Sequence, residues 1–303
     1  MEERHFGKLI ISFSDQLNLL KYRIITIHHY LVSKTKREMT IFLLTATGIY
    51  LYIVWLLISY QWFKQQRDKI PFRIHVNGIR GKSTVTRYVS AVFRKAGYHT
   101  FGKTTGSAAR IIRPNGENYD FHRIGYANVR EQVKMIKYFV RQKAEAIVLE
   151  CMAINPLYAK WLEDKVTQAQ VNIITNVRYD HPDQMGETLE QIAESLSNTI
   201  PENGILITGE YNPKLLEILA KNAKQKSTTV IVANPNQVAS EDLEGFTHFA
   251  HEENIAIAYE IAKLLKLPKA IALEAMQSAK ADPGAFQIEY FEFEGKVIAW
   301  ANL

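Results

Sequence analysis

Gly78-Ile79-Arg80-Gly81-Lys82-Ser83-Thr84 is a stretch whose residue types can hold a phosphate chain. The Lys82 ammonium can reach β- and γ-phosphates, and the Ser83 hydroxyl can bind Mg²⁺. The glycines let backbone N–H groups approach phosphate oxygens, and a helix starting here adds the positive end of its dipole. The common form of this loop has its first glycine five residues before the second. Here that position is Val76, and Gly78 lies three residues before Gly81, so the loop is shorter by two residues.

Two further groups carry chemistry. Glu150 ends an apolar run, Ala146-Ile147-Val148-Leu149. Asn176-Val177-Arg178-Tyr179-Asp180-His181-Pro182-Asp183 follows another run, Val171-Asn172-Ile173-Ile174-Thr175. If both runs are parallel strands, their carboxyl ends lie where ligands bind in open α/β sheets. A carboxylate, an imidazole and the Ser83 hydroxyl can then converge on phosphate oxygens and Mg²⁺. Taken singly, Asp180 or Asp183 can equally be a helix or turn cap.

The elements that must position these groups are legible. Phe72–Val76 reads as a strand, and Val85, Tyr88, Val89, Val92 and Phe93 recur on one helical face before Gly97 stops the helix. Tyr98–Phe101 reads as a short strand and Gly102-Lys103-Thr104-Thr105-Gly106-Ser107 as a polar loop. Pro114-Asn115-Gly116 marks a turn within 111–120. Residues 128–143 predict a helix with Val129, Val133, Ile136 and Val140 on one face. Asn155-Pro156 and Asn212-Pro213 start helices, and 188–199 reads as another. Strands at 204–208 and 228–232 and helices at 252–265 and 269–279 complete the alternation. It predicts an α/β fold, a mainly parallel sheet with helices on both faces.

Composition sets the frame. In 303 residues there is one cysteine, Cys151, so no intrachain disulfide forms, as suits a reducing compartment. The net charge of +6 suits anionic substrates or an anionic membrane surface and is too weak to argue for nucleic acid. His28 and His29 have no other ligand candidate nearby and read as interfacial or solvated. Residues 39–63 carry no charge and exceed the roughly 20 residues that span a bilayer. Tyr50, Tyr52, Tyr60 and Trp62 add interfacial aromatics, and Lys34, Lys36, Arg37, Lys64, Arg67 and Lys69 bracket the run. Lys/Arg on the two flanks are comparable, so charge gives no orientation. Nucleotide chemistry would place Gly78 in the cytoplasm. Residues 1–38 then lie outside, or from Phe6 to Val32 on the membrane surface. The expected organisation is therefore a basic amphipathic segment at 1–38, a transmembrane helix at 39–63, a nucleotide-binding domain at 70–286 and paired strands at 287–303.

The short Gly-x-x-Gly-Lys-Ser loop, the strand-end Glu150 and Asn176-x-x-x-Asp180-His181-x-Asp183 together resemble the Mur ligase superfamily. Gly102-Lys103-Thr104-Thr105-Gly106, Glu150-Cys151-Met152-Ala153-Ile154-Asn155-Pro156 and Asp282-Pro283-Gly284-Ala285 look most like its branch of poly-γ-glutamate synthase ligase subunits. The resemblance runs from about residue 70 to the end and implies the family's central-domain fold. It implies that ATP phosphorylates a glutamate γ-carboxyl to an acyl phosphate, which an amine attacks. Its implied partners are glutamate, the growing poly-γ-glutamate chain, the cell membrane and other membrane subunits of a synthase complex. Nucleotide contacts would come from Gly78, Arg80, Gly81, Lys82, Ser83 and Thr84, with Asn254 beside the adenine. Lys82, Glu150 and His181 would be the catalytic set, and Ser83, Glu150 and His181 the metal ligands.

Two departures stand out. Many family members carry a carbamylated lysine shortly after the motif histidine, and no lysine occurs here between Lys165 and Lys214. The family's C-terminal domain would begin where this chain reaches Leu303, so a fragment or one half of a split enzyme is expected. Two other functions compete: a membrane-anchored P-loop ATPase or kinase of polymer export, and a nucleotide-binding scaffold without catalysis.

Overall fold

The computed structural model describes the backbone of residues 3–106, 109–121, 128–282, 287–293 and 296–302, and the side chains of 18–106, 109–121 and 128–282. Ser107, Pro283-Gly284-Ala285 and Glu294-Gly295 lie outside the described residues. The chain divides into two units, residues 1–62 and 63–303.

A single helix, α1 (Glu3–Arg67), runs through the two N-terminal segments that the sequence reading separated and ends within the second unit. Among the described residues it is the one helix long and apolar enough to cross a membrane, with a mean hydropathy of 2.2 in its most apolar window. None of that window is buried within the protein. The hydroxyls of Thr26, Ser33, Thr35, Thr40 and Thr45 each bond a carbonyl three or four residues earlier in the helix. In an apolar medium that self-satisfaction removes most of the cost of the polar groups.

The second unit follows as β1 (Phe72–Asn77), α2 (Lys82–Lys95), β2 (Thr100–Thr104), β3 (Arg110–Ile112), β4 (Asn118–Asp120), α3 (Arg130–Arg141), β5 (Ala146–Glu150) and α4 (Pro156–Trp161). Then come β6 (Val171–Ile174), α5 (Pro182–Met185), α6 (Leu189–Leu196), β7 (Ile205–Thr208), α7 (Pro213–Gln225), β8 (Thr229–Val232), α8 (Glu252–Leu264) and α9 (Lys269–Gln277). A separate antiparallel pair, β9 (Gln287–Phe293) and β10 (Lys296–Asn302), ends the chain.

The large sheet has the order β4-β3-β2-β5-β1-β6-β7-β8. Strands β2, β5, β1, β6, β7 and β8 are parallel to one another, and β3 and β4 extend one edge antiparallel. Strand side chains alternate between two covered faces, which is why the strands read as unbroken apolar runs. Ile74, Val76 and Val148 meet Val85, Val89, Val92, Ile255 and Met276 of α2, α8 and α9. On the opposite face Ile147 and Leu149 join Phe101, Ile136 and Phe139, while Ile174 and Leu206 join Ile192, Leu196, Leu215 and Leu219.

Local signals account for several helix starts. Asn155 accepts from the N–H groups of Leu157 and Tyr158. Asn212 accepts from Lys214, and Thr188 and Gln191 form a reciprocal capping box.

Two expectations fail. Gly102-Lys103-Thr104 is not a loop: it is the buried end of β2, paired with β5 on one side and β3 on the other. A polar stretch is a strand there because neighbouring strands satisfy its backbone. In α3 the most buried residues are Gln132, Met135, Ile136 and Phe139, so the seam is rotated from the expected valine face. The valines flank it, and the Phe139 contact with Phe101, 5.1 Å between rings, sets the helix's orientation.

Candidate functional site

The phosphate loop joins the central strand β1 to α2, at the carboxyl end of the sheet. Gly78 has φ +121, and a Cβ placed on it would lie 2.1 Å from Thr175 Oγ1. Only glycine lets the loop pass this close to the end of β6. From that same strand end, the Asn176 side chain grips Arg80, accepting from its N–H at 3.0 Å and donating to its carbonyl at 3.1 Å. Thr175 Oγ1 donates to the same carbonyl at 2.6 Å. In the sequence Asn176 is one member of a motif, and its hold on the loop exists only in the fold.

α2 begins at Lys82 with no side chain capping its N-terminus and no acidic residue in its first turn. Its first N–H groups have no intrahelical acceptor, the usual arrangement of an anion site. Lys82 Nζ folds back over the loop, donating to the carbonyls of Gly78 at 2.9 Å and Ile79 at 3.0 Å. Burial pulls the Lys82 ammonium below its ordinary range, against the opposing pull of the Glu150 and Asp180 carboxylates.

Glu150 at the end of β5 is 2% exposed. Its Oε2 accepts from Ser83 Oγ at 2.9 Å and from the Thr105 N–H at 2.8 Å. Lys82, Ser83, Glu150, Asp180, His181 and Asp282 all line one cavity of about 470 Å³, within the range of small-molecule sites. Asp282 reaches it from beyond α9, held by Arg87 at 3.4 Å. Its role was not visible in the sequence, where it belonged only to a motif.

The predicted residues are not all equally close. Gly78, Arg80, Gly81, Lys82, Ser83, Thr84, Glu150 and His181 line the cavity. Ser83 and Glu150 touch, while His181, at the start of α5 with φ +47, is half exposed beside Asp180 at 3.7 Å. Among the described residues no three His, Cys, Asp or Glu side chains stand close enough to hold a metal by themselves. The Arg80 side chain is exposed and meets Asp180 at 3.6 Å. Asn254 is buried at 6% exposure and lies against Gly81, where an added Cβ would fall 2.5 Å from its Oδ1. It supports the loop from the α8 side and is not among the residues lining the cavity of Lys82.

The residues present fit a nucleotide with a divalent cation. The glycine-lined approach at Gly78, the uncapped start of α2 and the hydroxyl–carboxylate pair of Ser83 and Glu150 offer N–H donors for phosphate and hard oxygens for a cation.

A family model, the Mur ligase middle domain, matches residues 76–271. The chain belongs to the Mur ligase family. Within it, the chain is 37% identical over 241 residues to the capsule biosynthesis protein CapB of Bacillus anthracis, covering 79% of this chain and 52% of that protein. It is 39% identical over 235 residues to PGA synthase CapB of Bacillus subtilis (strain 168), covering 73% of this chain and 56% of that one. The chain thus spans about half the length of the curated relatives it matches. Among solved structures, the bifunctional folylpolyglutamate synthase/dihydrofolate synthase of Yersinia pestis CO92 superposes with TM-score 0.60 at 16% identity, over 76% of this chain and 63% of that one. FolC of E. coli in complex with ADP gives TM-score 0.60 at 18% identity, over 77% and 64%. The Yersinia pestis enzyme with AMPPNP and Mn gives 0.57 at 18%, over 77% and 63%. At such identities the likeness shows the shared Mur ligase fold, as the motifs predicted.

Proposed function

We propose that the chain is the nucleotide-binding part of an ATP-dependent amide ligase. On this reading it joins glutamates through the γ-carboxyl in poly-γ-glutamate synthesis. The observation that carries the reading is the meeting of Lys82, Ser83 and Glu150 at the short loop, with Ser83 and Glu150 2.9 Å apart. Kinship to proteins named PGA synthase and capsule biosynthesis protein supports the choice of substrate. Fold neighbours determined with ADP, AMPPNP and Mn support a nucleotide and a divalent cation, with Mg²⁺ the expected ion.

ATP supplies the phosphoryl group that activates the carboxyl, and Mg²⁺ neutralises charge while that group transfers. Lys82 holds the β- and γ-phosphates from the side of its own loop carbonyls. The N–H groups at the start of α2 take the remaining phosphate oxygens. Ser83 and Glu150 would hold one cation, and His181, which lines the same cavity, would serve a second. Arg80, held near Asp180, adds positive charge to the site. Asn254 acts through Gly81, fixing the nucleotide side of the loop. The work is positioning and charge neutralisation, with no covalent step on the protein.

We further propose that residues 39–63 of α1 cross the cell membrane, with the nucleotide site on the cytoplasmic side and other membrane subunits as partners. The apolar, unburied helix supports this.

The test is phosphate release from ATP with and without glutamate, beside binding of a fluorescent ATP analogue to the wild type and Lys82→Ala. The ligase reading expects glutamate-dependent release and loss of binding in Lys82→Ala. Release indifferent to glutamate would indicate an ATPase, and binding without release a scaffold. Undiminished binding by folded Lys82→Ala would remove the nucleotide site.

A further inference from the structure

Glu210 lies just past the end of β7 and is 1% exposed. The register of β7 on β6, Thr208 opposite Ile174, brings it beside the segment that leaves β6. Four donors converge on its two oxygens. Oε2 accepts from the Val177 N–H at 2.8 Å and from Arg178 Nη1 at 3.1 Å. Oε1 accepts from the N–H groups of Tyr211 at 3.0 Å and Asn212 at 2.9 Å. One carboxylate therefore fastens the segment after β6 to the start of α7.

Both contacts from Glu210 to that segment lead on to the phosphate loop. Val177 follows Asn176, whose side chain grips the backbone of Arg80. Arg178 reaches from Glu210 to Glu253 at 3.8 Å, in the first turn of α8. The next residue is Asn254, which lies against Gly81. The same segment carries Asp180 and His181 to the cavity. α7 does not need Glu210 for its cap, since Asn212 already accepts from Lys214. A buried carboxylate is costly unless donors surround it, and here two of the four donors, the Val177 N–H and Arg178, belong to the segment that shapes the site.

We infer that Glu210 is a positioning residue for the nucleotide site: with Arg178 it fixes residues 176–183, and through them the phosphate loop and the placement of Asp180 and His181. The inference rests on the reading of that loop as a nucleotide site.

The experiment uses the full chain in detergent micelles. Binding of a fluorescent ATP analogue and the Mg²⁺ concentration for half-maximal binding are measured for wild type, Glu210→Gln, Arg178→Met and Lys82→Ala, beside each thermal midpoint. Glu210→Gln keeps the shape but sets an amide NH₂ against a donor. It should weaken binding roughly tenfold and move the Mg²⁺ midpoint upward by a similar factor, as loss of an outer-shell partner does. Arg178→Met removes only the partly exposed arm and should shift both in the same direction by a smaller factor. A purely structural role would lower the thermal midpoint and leave the affinity and Mg²⁺ midpoint of the folded protein unchanged, and would overturn the inference. If Glu210→Gln does not fold, Arg178→Met decides: wild-type values for both binding quantities refute the positioning role. Loss of binding in Lys82→Ala alone keeps the nucleotide site and rejects Glu210. Wild-type binding by Lys82→Ala removes the site itself, and the inference falls with it.

Discussion

Replacing Gly78 with alanine puts the loop's dependence on close approach to a direct test. The added Cβ would stand 2.1 Å from Thr175 Oγ1 and 2.8 Å from the Thr175 backbone nitrogen. Neither atom is free to step aside. Thr175 Oγ1 donates to Arg80 O at 2.6 Å, and the Thr175 N–H bonds Asn77 O at 3.0 Å. The backbone at φ +121 adds strain for any residue with a Cβ. A sparsely populated backbone conformation costs about 1–3 kcal/mol and overpacking about the same again, so the clash is worth about 2–6 kcal/mol. If the fold keeps its shape, the thermal midpoint should drop by roughly 4 °C or more, at about 2–4 °C per kcal/mol for a unit of this size. If the loop yields instead, the same energy appears as lost nucleotide affinity, on the order of 30-fold or more at about 1.4 kcal/mol per decade. Adding Thr175→Ala removes the nearest atom but not the amide, so it should recover only part of the loss. Thermal unfolding and fluorescent nucleotide titration of the two variants measure both routes. A Gly78→Ala protein with wild-type midpoint and wild-type affinity would refute the close-approach argument.

Glu150→Gln should leave the fold intact and raise the Mg²⁺ needed for nucleotide binding by roughly tenfold or more, because it removes a carboxylate from beside Ser83; superimposable metal titrations would show that Glu150 is no ligand. The Lys82 ammonium lies below its ordinary range when no phosphate is bound, and bound phosphate favours its charged form. Nucleotide affinity should therefore be full at neutral pH and fall as pH rises through the free-site Lys82 value, with protons taken up on binding in that window; calorimetry in buffers of different ionisation enthalpy would detect the uptake, and its absence would count against the contact. Deleting residues 1–62 should release a folded, soluble unit, whereas deletion through Arg67 also removes Phe63, 5% exposed in the core, and Arg67, fully buried. Loss of a buried Phe side chain alone costs about 3–5 kcal/mol, so the shorter fragment should unfold at clearly lower denaturant; equal midpoints would show that α1 contributes nothing beyond residue 62. The full chain should resist carbonate extraction from membranes, and release by carbonate would contradict a spanning helix.

Much of the site could be read from the chain because its signals are local. Gly78, Gly81, Lys82 and Ser83 lie in one short stretch of chain, and the apolar spacing from Val85 to Phe93 announces the helix that presents them. Glu150 stood out because a carboxylate ends an apolar strand. Glu210 follows the end of β7 in a similar place, and the same rule applied there would have found it. Caps such as Asn155 and Asn212 act within a turn of their helices, so they too were visible.

Tertiary structure decided whatever depends on partners distant in sequence. Gly102-Lys103-Thr104 has the composition of a loop, and only the flanking β5 and β3 supply the hydrogen bonds that make it strand. The orientation of α3 follows from the ring of Phe101, 38 residues before Phe139 in the chain and 5.1 Å from it in space. Asn176 grips the phosphate loop and Asn254 packs against it from separate elements, and no spacing rule relates them to it. The sequence by itself determined which groups can do chemistry, because residue type and local periodicity carry that information. Their distances and burial came from strand order and packing, because closing long loops and covering both faces of a sheet are properties of the whole chain.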